Sequence, residues 1–135
     1  MSYTPEELRR FAEAVPFSHH LGVEIVSLEP EKVVCTVVAK PEHCTTMNSV
    51  HGGFLMAVAD FAGASGAFFN LPEGATGTTT TESKTNMIRP GKPGTTLTIT
   101  ATPINIGRRL QVWQTRIEGE DGKLVSLTTQ TQINL

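Results

Sequence analysis

From His51 to Phe69 the chain is almost wholly apolar and carries a single acidic residue, Asp60, near its middle. The run is too long for an ordinary strand, is rich in alanine and opens on Gly52-Gly53, so it predicts a helix of about 28 Å. With Asp60 set at zero and ~100° per residue, Phe54, Leu55, Val58, Phe61, Phe68 and Phe69 fall within an arc of roughly 80° to 220°. Gly53, Met56, Ala57, Gly63, Ala64 and Ala67 share the side of Asp60, a face small enough to admit another backbone or a ligand. A helix apolar all round is predicted to be buried, with Asp60 as its one costly side chain. A membrane span is excluded by Gly52, Gly53, Gly63, Gly66 and the central Asp60, and by flanks without a basic cluster.

Composition narrows the setting of this helix. The 135 residues hold no long linker or low-complexity stretch, which predicts one domain over 1–135. Eleven basic against thirteen acidic residues argue against a nucleic-acid or anionic-membrane partner held by bulk charge. Cys35 and Cys44 make no disulfide framework and no secretory leader precedes Thr4, so a reducing cytoplasm is expected. No metal site is expected, since His19, His20, His43 and His51 lack ligand spacing and neither cysteine belongs to a paired motif.

Thr4-Pro5-Glu6-Glu7 reads as a helix start with a capping box, predicting a short helix to about Ala14 that Pro16 ends, and Phe17 to Leu21 as a further turn before Gly22. Val23–Leu28 and Val33–Ala39, joined by Glu29-Pro30-Glu31, predict a β-hairpin. Lys40 to Val50 is polar and reads as an irregular loop delivering the chain to the long helix. Beyond the helix, Thr78–Ile88, Thr96–Thr102, Leu110–Ile117 and Lys123–Ile133 read as strands, with turns at Arg89–Gly94, Asn105–Arg108 and Glu120-Asp121-Gly122. Five or six mostly antiparallel strands and one buried helix predict an α+β domain in which a curved sheet wraps the helix. Its open edges predict dimerisation by sheet extension.

Val50-His51-Gly52-Gly53, then Ala59-Asp60, then Thr80 through Ile88-Arg89-Pro90 make a pattern that resembles the PaaI-like hotdog-fold acyl-CoA thioesterases. The resemblance extends from Leu21-Gly22-Val23 to Asp121-Gly122-Lys123-Leu124-Val125. It implies that Gly53 offers its backbone N–H to a thioester carbonyl, that Asp60 attacks the acyl carbon or activates water, and that Thr80 assists. The family usually carries Asn six residues before the histidine and Gly three before it, where this chain has Thr45 and Asn48. Either Asn48 stands in for the missing amide from a neighbouring position, or hydrolysis is weakened or altered.

The chemistry can also be weighed residue by residue. Free N–H groups at the helix start suit the charge that develops on a carbonyl oxygen, and Gly52-Gly53 equally permits a tight turn. An unpaired, desolvated Asp60 would be held protonated unless a donor reached it, and such a cost points to catalysis. His51 reads as a capping or orienting residue. Gly52 and Thr45 are candidate contacts to substrate, and Arg89, Arg108 and Arg109, with Lys84 and Lys92, are candidate partners for the phosphates of coenzyme A. The reading is an acyl-CoA thioesterase acting on a small or medium acyl or aryl-acyl thioester, with no cofactor beyond the coenzyme A of the substrate. Two competing classes are a hotdog hydratase or dehydratase and a non-enzymatic module that binds acyl-CoA or an acyl carrier. Gly53 and Asp60 lie about 10.5 Å apart along one helix, so a shared site in a homodimer is expected, Gly53 coming from one chain and Asp60 and Thr80 from the other. A dimer of dimers is the larger assembly expected.

Overall fold

The computed structural model describes residues 2–135. Thr4 caps α1 (Pro5–Glu13): its hydroxyl accepts from the Glu7 N–H, and the Glu7 carboxylate accepts from the Thr4 N–H at 2.8 Å. Pro16 opens α2 (Pro16–Leu21), which ends at Gly22 with φ of 87°, a left-handed conformation that glycine adopts freely. The hairpin of β1 (Glu24–Glu29) and β2 (Lys32–Val38) follows as expected.

The segment from Lys40 to Val50 is more ordered than its composition predicts. It holds a two-stranded ribbon, β3 (Cys44–Thr45) against β4 (Ser49–Val50), turned back by Met47 and Asn48 at φ of 65° and 55°. Asparagine tolerates this conformation and is a common residue in such tight turns. α3 (Gly52–Phe68) then runs unbroken, one residue inside the predicted limits at each end, where His51 and Phe69 serve as caps.

After it come β5 (Thr78–Met87), β6 (Thr96–Ile106), β7 (Leu110–Glu118) and β8 (Leu124–Asn134). β6 runs two residues into the turn predicted at Asn105–Arg108, and the chain turns at Gly107, Arg108 and Arg109. A bulge between Pro103 and Asn105 absorbs the proline, which has no N–H for the ladder, and pairing resumes to Ile106. The six long strands form one antiparallel sheet in the order β1-β2-β6-β7-β8-β5, and α3 packs against β2, β6, β7, β8 and β5. α1 packs on β1, while β5 forms the other edge of the sheet and, among the described residues, pairs with β8 alone.

Beneath α3 the sheet has two chemical characters. β2 and β6 turn Val33, Cys35, Val37, Leu97, Ile99 and Ala101 inward, whereas β8 turns Ser126, Thr128, Gln130 and Gln132 inward, and all are almost or wholly without solvent exposure. The helix meets the sheet through glycines: a Cβ at Gly66 would overlap the Trp113 ring, and one at Gly63 would overlap the Gln130 amide.

This packing corrects the expectation of a helix buried on every side. Gly53, Met56 and Phe68 are exposed and Ala57, Asp60 and Ala64 half-buried, so one stripe of α3 stays open in the protomer. It also divides the small-residue face, because Gly63 and Ala67 are buried while Gly53, Met56, Ala57 and Ala64 remain accessible beside Asp60.

Candidate active site

Asp60 is half-buried, and the sheet supplies it with donors, so the unpaired carboxylate that the sequence suggested is not what forms. The Thr80 hydroxyl donates to Oδ1 at 2.7 Å, and the Gln130 amide nitrogen donates to the same oxygen at 3.2 Å. Thr80 sits at a β-bulge, where β5 shifts register against β8 between Thr80 and Glu82. Bulges re-aim side chains, and this one leaves Thr80 inward opposite Gln132. Gln132 accepts from Gln130 at 2.9 Å and donates to the Thr78 hydroxyl at 3.1 Å, which closes a buried polar network under the acid. Sequence patterning does not single out Gln130 or Gln132. Thr128 to Gln132 is polar at every position, so alternation gives no sign of which face is inward.

At the start of α3, His51 is the N-cap, and its Nδ1 accepts from the Gly53 N–H at 2.8 Å. The Gly53 donor expected to be free is therefore occupied by the histidine ring. Behind the cap, the His43 carbonyl accepts from the His51 N–H at 2.9 Å, and the His43 ring stacks on Phe54 with centroids 4.3 Å apart. Gly52 lies against Met87, whose methyl would be 3.0 Å from a Cβ at that position. Thr45 and Asn48 are exposed on the β3–β4 ribbon. Asn48 thus has a conformational reason for its identity, its positive φ, apart from any part in chemistry.

Asp60 also borders a cavity of about 460 Å³ between the first two helices and α3, walled chiefly by Phe11, Val15, Phe17, Phe61 and Phe68. Among the described residues, Asp60 is the single charged one in its lining. Phe11 packs on Phe69 with ring centroids 4.9 Å apart, and Tyr3 packs on both, which fixes α1 beside the end of α3 and makes that wall.

The candidate cations occupy two places. Arg89 follows β5 and donates to the Leu124 carbonyl at 2.8 Å, beside a surface hollow shared with Lys92 and Lys123. There the Lys123 backbone N–H, and after it the charges of Lys123, Lys92 and Arg89, hold the Asp121 carboxyl below the usual carboxylate range. Arg108 and Arg109 are exposed in the turn between β6 and β7. Within one protomer these groups lie at opposite ends of β7, roughly 30 Å apart at ~3.4 Å per residue.

Comparisons with known proteins agree with this architecture. The family model described as "Thioesterase superfamily" matches residues 47–126, which span the helix cap, α3 and most of the sheet. A Haemophilus influenzae protein named "Putative esterase" is 34% identical over 136 residues, covering 99% of this chain and 96% of its own. Among solved structures, a thioesterase from Haemophilus influenzae superposes with a TM-score of 0.88 at 29% identity, covering 100% of this chain and 92% of that one. A mutant of the phenylacetic acid degradation protein PaaI from Thermus thermophilus superposes with a TM-score of 0.82 at 29% identity, covering 90% of this chain and 100% of that one. These matches favour the hydrolase over the two competing classes. With a six-stranded antiparallel sheet packed around one central helix, the chain belongs to the thioesterase superfamily and is a PaaI-like hotdog thioester hydrolase.

Proposed function

We propose that the protein hydrolyses a small or medium acyl-CoA or aryl-acyl-CoA to the free acid and coenzyme A, with Asp60 as nucleophile or general base. The observation that carries the reading is the position of Asp60, the one charge on an apolar cavity of about 460 Å³, with one carboxylate oxygen held by Thr80 and Gln130. The cavity takes the acyl group, and the carboxylate at its border acts on the thioester carbon or on a water beside it. Gly53 supplies the polarising N–H once the carbonyl oxygen replaces His51 Nδ1 as its acceptor, and the His51 ring orients that exchange. Gly52 and Thr45 border the substrate, and Asn48 is the nearest substitute in sequence for the family amide. Arg89, Arg108 and Arg109 are the cations available for the phosphates of coenzyme A.

The working unit in this reading is a homodimer joined through β5, the sheet edge opposite α1, with two such dimers making the larger assembly. Because α3 is continuous, Gly53 and Asp60 of one chain stay about 10.5 Å apart along the axis, and each site combines Gly53 of one chain with Asp60 and Thr80 of the other. One domain spans 1–135, no cofactor is required beyond the coenzyme A of the substrate, and the setting is the cytoplasm.

The test follows free thiol with a panel of acyl-CoAs, first on the wild type and then on mixed dimers of Asp60→Ala and Gly53→Pro. Medium and aryl-acyl thioesters are expected to be cleaved, and each single variant to be inactive. Random pairing makes half the dimers mixed, each with one intact site, so activity returns to about a quarter of wild type. No turnover of any acyl-CoA by the wild type would overturn the activity. No recovery in mixed dimers confirmed by mass spectrometry, with Gly53→Pro shown to fold, would overturn the shared site.

A further inference from the structure

Gln130 is wholly buried, and its two amide hydrogens face three acceptors: Nε2 lies 2.9 Å from Gln132 Oε1, 3.2 Å from Asp60 Oδ1 and 3.4 Å from the Asp60 carbonyl oxygen, so one hydrogen goes to Gln132 and the other to Asp60. Its carbonyl oxygen is also buried and has no partner among the described residues. A buried amide with one end unsatisfied is destabilising on its own account, and turning the amide over would aim its oxygen at two acceptors, a worse arrangement. Gly63 is part of the same construction, because any side chain there would collide with the Gln130 amide. Two positions on two elements are thus given over to holding one NH2 group against Asp60.

The second donor on Asp60 is of a different kind. Thr80 has one hydroxyl hydrogen and two acceptors in reach, Asp60 Oδ1 at 2.7 Å and Gln132 Oε1 at 2.5 Å. Its hydrogen can serve either one, whereas the Gln130 amide serves Asp60 and Gln132 at once. Both donors meet at Oδ1, and neither bonds to Oδ2.

We propose that Gln130 is a positioning residue for the Asp60 carboxylate, its amide fixing Oδ1 so that Oδ2 is the oxygen that meets the thioester or its water. The inference rests on Asp60 being the catalytic acid. Gly63 keeps the space in which the amide lies, and Gln132 holds the amide's second hydrogen.

The experiment measures kcat, KM and thermal unfolding for Gln130→Met in two backgrounds, wild type and Asp60→Asn, with the acyl-CoA that the wild type cleaves fastest. Methionine keeps length and volume while removing the donor. A hydrogen bond to a charged group corresponds to about a 10- to 100-fold change, so kcat falls by that factor, with KM within about twofold and the melting temperature unchanged or higher. In the Asp60→Asn background the same substitution changes residual thiol release by less than about twofold, since the carboxylate it positions is gone. A kcat within about twofold of wild type, or an equal loss in both backgrounds, overturns the inference and leaves the hydrolytic reading standing. Wild-type turnover by Asp60→Asn alone overturns both. Should the methionine variant not fold, Gln130→Asn, which keeps an amide one methylene too short to reach Oδ1, is held to the same outcomes.

Discussion

On β2 and β6 every fully buried inward side chain is apolar, and on β8 every one from Ser126 to Gln132 is polar, although both sets are shut off from solvent. The first half stabilises the fold by removing apolar surface from water, about 1.5 to 3 kcal/mol for each large aliphatic side chain. The second gains only about 0.5 to 1.5 kcal/mol for each hydrogen bond made. It also leaves Ser126 Oγ and Gln130 Oε1 buried without partners among the described residues, each at a cost of about 1 to 3 kcal/mol. Stability alone would favour hydrocarbon in those places. What distinguishes the polar half is what lies above it, the one carboxylate of α3, and the two halves divide the labour of the sheet between holding the helix and holding its acid.

The comparison can be broken most visibly from the apolar side. Ile99→Ala should lower the unfolding free energy by about 2 to 5 kcal/mol, read by urea denaturation, while kcat at a temperature where the variant is folded stays within about twofold. Gln132→Met should do the reverse, leaving stability within about 1 kcal/mol of wild type and lowering kcat. Equal destabilisation by both substitutions would mean that the two halves do the same work.

A smaller effect belongs to Thr80→Val, which removes one of two donors to Asp60 Oδ1 while preserving shape and β-propensity. It should lower kcat about tenfold, the equivalent of roughly 1.5 kcal/mol, with little change in melting temperature. Smaller still is the loss of the helix cap. His51→Ala should cost about 1 kcal/mol of stability and His51→Asn should restore most of it, measured by thermal melts.

The mildest test concerns sealing. Burial pushes the Cys35 thiol up to about 12, so below that pH it stays protonated and unreactive, whereas Cys44 is only half-buried. Iodoacetamide at about pH 8 should therefore label Cys44 and spare Cys35 in the native protein, as read by peptide mass spectrometry. Labelling of both at equal rates would show that the apolar half is not closed.

Legibility in the sequence follows the same division. Thr4 and Glu7, the Pro5 helix start, the end of the first helix before Pro16, the Glu29-Pro30-Glu31 turn and α3 all declare themselves through local chemistry, and the structure bears them out; that Pro16 itself opens a second helix is not declared. Asp60 stands out because a lone charge in an apolar run is conspicuous, and the resemblance singles out Thr80, which the structure brings to it. Gln130 and Gln132 are silent, since an all-polar strand carries no mark of its inward face. Gly63 looks like a place for another chain to approach, but it serves the sheet, as Gly66 does, because only the register of β7 and β8 reveals that Gln130 and Trp113 need the room. The Met47-Asn48 turn is hidden for a related reason: methionine at positive φ has no sequence signature.

The central claim is that this polar half exists for one carboxylate, and Asp60→Asn tests it most directly when thiol release and urea unfolding are measured on the same preparation. The amide keeps an oxygen for Thr80 and Gln130 but has lost its basicity and nucleophilicity. The account predicts that thioester turnover falls by about 10²- to 10⁴-fold while the unfolding free energy stays within about 1 kcal/mol of wild type. Turnover within a few-fold of wild type would contradict it.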